Sequence, residues 1–391
     1  MSDKVSSIMS TYGRYPVAFE RGEGVRLWDT NGRVYLDFLS GIGVNNLGHS
    51  HPTVVKAVQE QVAKLTHTCN LYRIPNQEAL AARLVATCFA DQVFFSNSGA
   101  DANEAAIKLV RKYMKDRGQP GRYEIITATN SFHGRTMATL TATGQEKVQS
   151  GFEPLVPGFR YVPYNDMEAM EKAVGPYTAA IMVEPIQGES GVRVPDADYL
   201  NQLRALCDRK DILLVLDEVQ SGMGRTGKMW AYQWSDIEPD IMTSAKALAS
   251  GVPMGACLAR RGVAAAFAPG SHGSTFGGNP LSAAAALATL DVMLAPDFLP
   301  TVQARGDYFM NALRQLAQGR RMVKQIRGRG LMVAMELNAP GEEVASIALS
   351  RGLLINCCMG TVLRFLPPLV VSEQEIDQGL AILGEVLSDL F

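Results

Sequence analysis

Residues 212–217 read ILLVLD, an unbroken apolar run closed by an aspartate. A strand with one wet face alternates apolar and polar positions, so a run of this kind belongs to a strand covered on both faces. Similar runs flank it: QVFFS (92–96), YEIIT (123–127), AAIMVE (179–184), DIMTS (240–244) and ACLAR (256–260), with helical stretches between them. Short buried strands alternating with helices predict an α/β protein built on a mostly parallel sheet. Such sheets bind ligands outside the carboxyl ends of their strands, where Asp217 and Glu218 fall. A carboxylate at the end of a central strand is costly unless a cation meets it. A helix cap or a surface ion pair is the plainer alternative for an aspartate taken alone.

Moving outward, residues 24–38, GVRLWDTNGRVYLDF, alternate apolar and polar positions around Asn31-Gly32, which predicts a hairpin. Residues 52–65 predict a helix begun by Pro52, with Val54, Val55, Val58, Val62 and Leu65 on one face. Beyond the alanine-rich helix after Pro280 the texture changes. A long helix leads into MVKQIRGRGLMVAMEL, a helical stretch, LLINCC, VLRFLPPLVV and a closing helix, which together read as an α+β unit. The expected division is an N-terminal segment (1–45) packing with a small domain (286–391), and a large domain over 46–285.

Composition narrows the function. The 391 residues carry 37 basic and 39 acidic side chains, a net charge of −2. Without a basic surplus, neither nucleic acid nor an anionic membrane is the expected partner, and a small substrate is. The opening MSDKVSSIMSTYGRYP has no apolar core of a signal peptide, so a cytoplasmic location is expected. The most apolar stretch, LSAAAALATLDVML, carries Asp291 and is short for a membrane span. The six cysteines form no C-x-x-C pair and read as reduced thiols. The five histidines form no H-E-x-x-H, and no metal site is expected.

Several segments carry chemistry. In DIMTSAKALASG, Lys246 follows a strand among small residues, the setting of either a solvated side chain or an activated amine. SNSGADANEAA (96–106) opens a helix with Ser98, Gly99 and Ala100 at the turn, where backbone N–H groups can meet an anion. SFHGRT (131–136) offers a ring and a cation, and HGSTFGGNP (272–280) a glycine-rich loop with two hydroxyls. GMGRTGKM (222–229) approximates a phosphate-binding loop, but Met229 stands where the magnesium-binding hydroxyl belongs. A phosphate cradle, a flat ring, an acid for a pyridine nitrogen and a lysine for an aldehyde are the parts that pyridoxal phosphate requires.

With these blocks in order, the chain resembles the class III aminotransferases of the fold type I pyridoxal-phosphate family. The resemblance runs almost end to end, through YLDFLSGIGVNNLGHSHP, SFHGRTMATLTATGQ, VEPIQGESGV, LDEVQSGMGRTGK, HGSTFGGNPL and VLRFLPPLVV. It implies that GMGRTGKM is a turn following DEVQ rather than a nucleotide site. It also implies that Lys246 bonds the cofactor and Asp217 faces its pyridine nitrogen, within a cofactor-binding DEVQ block of Asp217, Glu218, Val219 and Gln220. Gln220 would approach the ring's phenolic oxygen. Gly99 and Ala100 match the phosphate turn and Phe132 the stacked ring.

Thr275 matches a hydroxyl reaching the phosphate of a neighbouring subunit, with Ser274 beside it, implying a homodimer with shared active sites. Arg364 matches the arginine for the α-carboxylate of glutamate or 2-oxoglutarate, and Arg135 the one for the other carboxylate. Glu189 matches a glutamate that pairs with Arg364 until that α-carboxylate arrives. The implied reaction moves the δ-amino group of N2-acetylornithine to 2-oxoglutarate. Ornithine, succinylornithine, 4-aminobutyrate and N-succinyl-diaminopimelate are alternative amine partners, and an aminomutase is the alternative from another class. Asp101 and Arg73 depart from the family's usual residues and bear on substrate preference.

Overall fold

The computed structural model describes residues 7–391. Its centre is a seven-stranded sheet in the order Gln92–Ser96, Gly255–Ala259, Ile241–Ser244, Leu213–Asp217, Thr178–Val183, Glu124–Ala128, Phe159–Val162. The pairings are parallel except where Gly255–Ala259 meets its two neighbours. The other six strands therefore point the same way, and their carboxyl ends open on one side. Leu213–Asp217 and Thr178–Val183 are buried at every residue, which accounts for their unbroken apolar sequence.

The expected hairpin forms. Arg26–Asp29 and Val34–Asp37 pair antiparallel, and Gly32 at φ 80° makes the turn. The Asp29 carboxylate accepts from the Asn31 and Arg33 N–H groups, both at 2.9 Å. With Phe19–Glu23 and Leu353–Leu354 these strands make a four-stranded sheet that joins the two ends of the chain. A second four-stranded sheet, Val323–Arg329, Met332–Leu337, Val362–Phe365 and Asn356–Cys358, delivers Arg364 on its third strand.

Two expectations need correcting. Helix Pro52–Val62 begins at its proline, but its apolar residues do not form one buried face. Val54 is buried and Val58 packs on the core, whereas Val55, Val62 and Leu65 are exposed. Adjacent residues on a helix diverge by about 100°, so Val55 cannot share the inward line of Val54, and Leu65 lies beyond the helix end. The division expected at 285/286 cuts helix Pro280–Met293, which packs on Pro52–Val62 and Pro75–Val85. The change of partners comes at the bend of 71° before Phe298–Ala317, which packs on Glu373–Leu390 and Val323–Arg329. Among the described residues no single helix is long and apolar enough to cross a membrane.

Where these layers meet, three backbones touch. A Cβ on Gly306, within Phe298–Ala317, would lie 2.5 Å from the Gly330 backbone, and one on Gly330 would lie 2.5 Å from Thr226. Gly306→Ala therefore forces helix and turn apart at a cost of about 1–3 kcal/mol. A lowered thermal transition with the fold retained is the expected result, read by circular dichroism.

Candidate active site

The strand ends converge on a cavity of about 230 Å³. Asp217, Gln220, Val219 and Lys246 line one part; Phe132, Gly134 and Arg135 another; Gly99, Ala100, Asn103, His133, Glu184 and Glu189 complete it. Glu184, Asp217 and Lys246 come from the chain at or just past three neighbouring parallel strands, which explains their meeting.

Asp217 is buried and held from three sides. Asn103 Nδ2 donates to Oδ2 at 2.7 Å, His133 Nδ1 donates to the same oxygen at 2.8 Å, and the Val219 N–H donates to Oδ1 at 3.0 Å. Asn103 is itself fixed by Thr243, whose hydroxyl donates to Oδ1 at 2.7 Å. Burial alone would lower the His133 pKa, but the hydrogen bond and charge of Asp217 outweigh it and raise it. His133 Nε2 is buried with no partner among the described residues.

Lys246 stands in the left-handed region at φ 48°, a strained conformation for a residue with a side chain, and its side-chain amine makes no hydrogen bond or ion pair among the described residues. Burial draws its pKa below the ordinary lysine value, opposed by the Glu189 charge and reinforced by Arg364. Glu184 is buried, and burial pushes its carboxyl up to about 7. It accepts from the Phe132 and Gly188 N–H groups, both at 3.2 Å, joining two segments of the cavity wall.

The turn at Ser98 opens a helix, as its sequence suggests. Ser98 caps helix Gly99–Asp116 by accepting from the Asp101 N–H at 3.2 Å, and Asp101 returns the favour to the Asn97 N–H at 3.2 Å. Asp101 thus serves the cap and does not line the cavity. The first N–H groups of such a helix have no intrahelical acceptor. Gly99 is required here: a Cβ would lie 2.7 Å from Val219 Cγ1.

Arg364 is wholly buried at the cavity's edge. Its Nη1 donates to Glu189 Oε1 at 2.6 Å and to the Gly188 carbonyl at 3.2 Å, and its Nε to Asn356 Oδ1 at 3.2 Å. Nη2 has no partner among the described residues. Gln220 bridges the pair, donating from Nε2 to Glu189 at 3.2 Å and accepting from Arg364 at 3.4 Å. Burial would raise the Glu189 pKa, but the charges of Arg364 and Lys246 and the hydrogen bonds hold it at about 2.

A profile described as aminotransferase class-III matches residues 8–387. The chain belongs to the class-III aminotransferases. It is 50% identical over 384 residues to an acetylornithine aminotransferase of Caldanaerobacter subterraneus, covering 98% of each chain. Against an acetylornithine aminotransferase of Aquifex aeolicus it is 49% identical, covering 97% of this chain and 99% of the relative. An ornithine aminotransferase structure from Toxoplasma gondii, described with partial occupancy of pyridoxal phosphate at its active site, superposes with a TM-score of 0.94 at 34% identity. That match covers 97% of this chain and 92% of the other. The protein is therefore a pyridoxal-phosphate-dependent aminotransferase of the α/β, fold type I class.

The cavity fits that cofactor on its own terms. A helix N-terminus that a Cβ would crowd, an acid fixed by three donors, an aromatic ring and a partly buried amine meet in one space. Most of the expected site residues lie in this cavity of the aminotransferase or, as with Arg364, at its edge. Glu218 does not: it follows Asp217 and faces the opposite side, accepting from Ser221 Oγ at 2.6 Å and the Tyr232 N–H at 2.8 Å. Successive residues at a strand's end point to opposite faces, and burial pushes this carboxyl up to about 7. Ser274 and Thr275 lie on a loop away from their own chain's cavity, with Thr275 exposed. Arg73 pairs with Glu78 on the surface at 2.6 Å.

Asn103, Glu184 and Asn356 were not singled out in the sequence. Glu184 carried a readable signal, since it closes AAIMVE as Asp217 closes ILLVLD. Asn103 is a single polar residue whose partner Asp217 lies far along the chain, and Asn356 is one whose partner Arg364 stands on the neighbouring strand. Gly99→Ala would drive the Val219 side chain into the cavity and weaken pyridoxal phosphate binding by roughly tenfold or more, about 1–3 kcal/mol. Reconstitution of dialysed protein, followed by its yellow absorption, measures this.

Proposed function

We propose that this aminotransferase moves the δ-amino group of N2-acetylornithine to 2-oxoglutarate, giving N-acetylglutamate 5-semialdehyde and glutamate, a step of arginine synthesis. The observation that carries the reading is the Arg364–Glu189 pair: a buried guanidinium held by a carboxylate able to leave it, with Nη2 still unpartnered. Such a site presents a neutral wall to an amine whose own carbon bears no carboxylate, and a cation to one whose carbon does. A planar guanidinium grips carboxylate through two parallel N–H bonds, and Asn356 holds Nε so that the remaining edge faces the substrate.

Pyridoxal phosphate supplies the electron sink that stabilises charge on the carbon losing its proton. Asp217, positioned by Asn103 and His133, would hold the pyridine nitrogen. Among the residues lining the cavity, Gly99 and Ala100 would hold the phosphate, and Phe132 and Gln220 would hold the ring. Lys246, its amine made less basic than an ordinary lysine's by burial, moves a proton at the substrate carbon bearing nitrogen. Arg135 is exposed at the mouth, 5.6 Å from the Phe132 ring centre, with no ion-pair partner among the described residues; it takes the distal carboxylate of either substrate.

A homodimer in the cytoplasm completes the reading. Phe276, Leu71 and Tyr72 are exposed around the loop that carries Ser274 and Thr275, and Asn70 Nδ2 ties the two segments together by donating to the Ser274 carbonyl at 3.1 Å. Apolar surface of this kind suits a second copy, whose phosphate site Thr275 would reach.

The spectrum of the yellow holoenzyme tests the reaction. Bleaching by N-acetylornithine and recovery with 2-oxoglutarate are expected; bleaching only by another amine, such as ornithine, would move the substrate, and no dependence on 2-oxoglutarate would favour a mutase. Glu189→Ala unmasks Arg364, so the half-reaction with glutamate should gain relative to that with N-acetylornithine. Equal effects on both halves would sink the switch. Because the Glu189 pKa is depressed to about 2, the latch and its stabilisation are present above pH ~4.5 and lost only as pH falls toward 2. The ratio of the two half-reaction rates should therefore show no Glu189 titration between about pH 5 and 8.

A further inference from the structure

GMGRTGKM enters none of the chemistry above, yet Arg225 at its centre is wholly buried. The loop is folded back by left-handed residues, Met223 at φ 51°, Gly224 at 79° and Gly227 at 92°, so that the Gly224 N–H reaches the Met229 carbonyl at 3.1 Å. This turns the Arg225 side chain inward. Its Nη1 donates to the carbonyls of Leu331 at 3.0 Å and Pro367 at 2.5 Å. Nη2 donates to Asn46 Oδ1 and to Ser40 Oγ, the latter at 3.5 Å. The Leu331 N–H returns a bond to the Arg225 carbonyl at 3.0 Å.

The acceptors reinforce one another. Asn46 Nδ2 donates to the Met223 carbonyl at 2.8 Å, the Leu369 N–H to the Asn46 carbonyl at 2.7 Å, and Ser40 Oγ to the Leu366 carbonyl at 2.6 Å. Three separate segments, 40–46, Leu331 and Pro367, therefore close on one guanidinium.

Every acceptor is neutral. Asp37, the acid whose charge favours Arg225, is already engaged by the Leu39 and Ser40 N–H groups at 2.9 and 2.8 Å and by His49 at 2.7 Å. Burial accordingly pulls the Arg225 pKa down to about 9, where it remains a cation at neutral pH. A buried charge without an ion pair is an expensive way to hold segments together. What it offers that an apolar residue cannot is a rigid plane of donors serving several carbonyls at once.

The segments it holds are those that deliver carboxylate recognition. Gln220 precedes Arg225 on the same loop, and Pro367 follows Arg364 on the chain leaving strand Val362–Phe365. We propose that Arg225 is a positioning residue for the oxo-acid half-reaction: by clamping the carbonyls of Leu331 and Pro367 to the loop carrying Gln220, it keeps Arg364 in register with Glu189 and Gln220. The role rests on the reading of Arg364 as the α-carboxylate site. It also gives the loop a purpose: its glycines aim an arginine rather than cradle a phosphate.

The test uses holoenzyme carrying Arg225→Lys, which keeps the charge but replaces the plane of donors with a flexible ammonium. Misplacement of a binding group by about 1 Å costs on the order of 10²-fold. The KM for 2-oxoglutarate should rise by roughly tenfold or more, while the single-turnover rate with N-acetylornithine and the yellow absorption change less than about threefold. Asn46→Ala, which removes one acceptor and leaves the grip on Leu331 and Pro367, should shift the same ratio in the same direction by less; it decides the matter if Arg225→Lys does not fold. Variants that slow both halves equally, or neither, overturn the role. Wild-type protein measured alongside separates the two failures: if it ignores 2-oxoglutarate, the functional reading falls and takes this role with it.

Discussion

A fully buried guanidinium, Arg364, sets the terms for the rest of the site. Removing such a charge from water is repaid only by close partners with good geometry. Here the partners come from three places: Glu189 and the Gly188 carbonyl from the chain after one strand, Gln220 from the chain after the next, and Asn356 from the strand beside Arg364 itself. A Cβ on Gly188 would lie 2.0 Å from Gln220 Oε1 and would push that side chain out of its bridge. Only one of these partners, Glu189, carries a charge, and one donor, Nη2, is left over among the described residues. The charge is thus paired, while one buried N–H group of the guanidinium has no acceptor among the described residues.

Around this cation the cavity holds Lys246 and three acids, Glu184, Glu189 and Asp217. Each acid is answered differently. Asp217 meets side-chain donors that are themselves braced, Glu184 meets backbone N–H groups, and Glu189 meets charge. The consequences diverge accordingly: Glu189 is held at about 2, while Glu184, with no cation bonded to it, is pushed up to about 7. Opposite shifts in one small space are the mark of a site arranged for chemistry rather than for packing. The strained φ of Lys246 belongs to the same economy, because only a surrounding structure that over-determines a residue can keep it there.

Two sheets must be held together for this to work, since Arg364 and Asn356 stand on one while Glu189, Gln220, Asp217 and Lys246 follow strands of the other. The contact between them is backbone against backbone at Gly306, Gly330 and Thr226, with Arg225 beneath it. Glycines allow the approach, and the buried donors of Arg225 satisfy carbonyls that the approach removes from water. The placement of Arg364 against the cavity therefore depends on the joint between sheets as well as on its own partners.

Much of this was legible in the chain. Unbroken apolar runs identified the buried strands to within a residue or so, because strands covered on both faces have no room for polar alternation. Asn31-Gly32 announced its hairpin, and Pro52 its helix start, since each acts through local backbone geometry. Asp217 and Lys246 stood out because charges at the ends of apolar strands need a reason. What the sequence could not reveal was direction and distance. Glu218 is as acidic as Asp217 and adjacent to it, yet a strand's alternation turns it to other partners. Asn103, Asn356 and Arg225 carry no local signal, because each acts on atoms more than a hundred residues away or on a separate element. The helical face at Val54 and Val55 was divided by a rotation that only packing could reveal. Local order, and the chemical kinds of residue available, were determined by the sequence alone. Which side chains meet was decided by the tertiary structure, because hydrogen bonds and ion pairs act over a few ångströms and only the packed sheets bring those atoms that close.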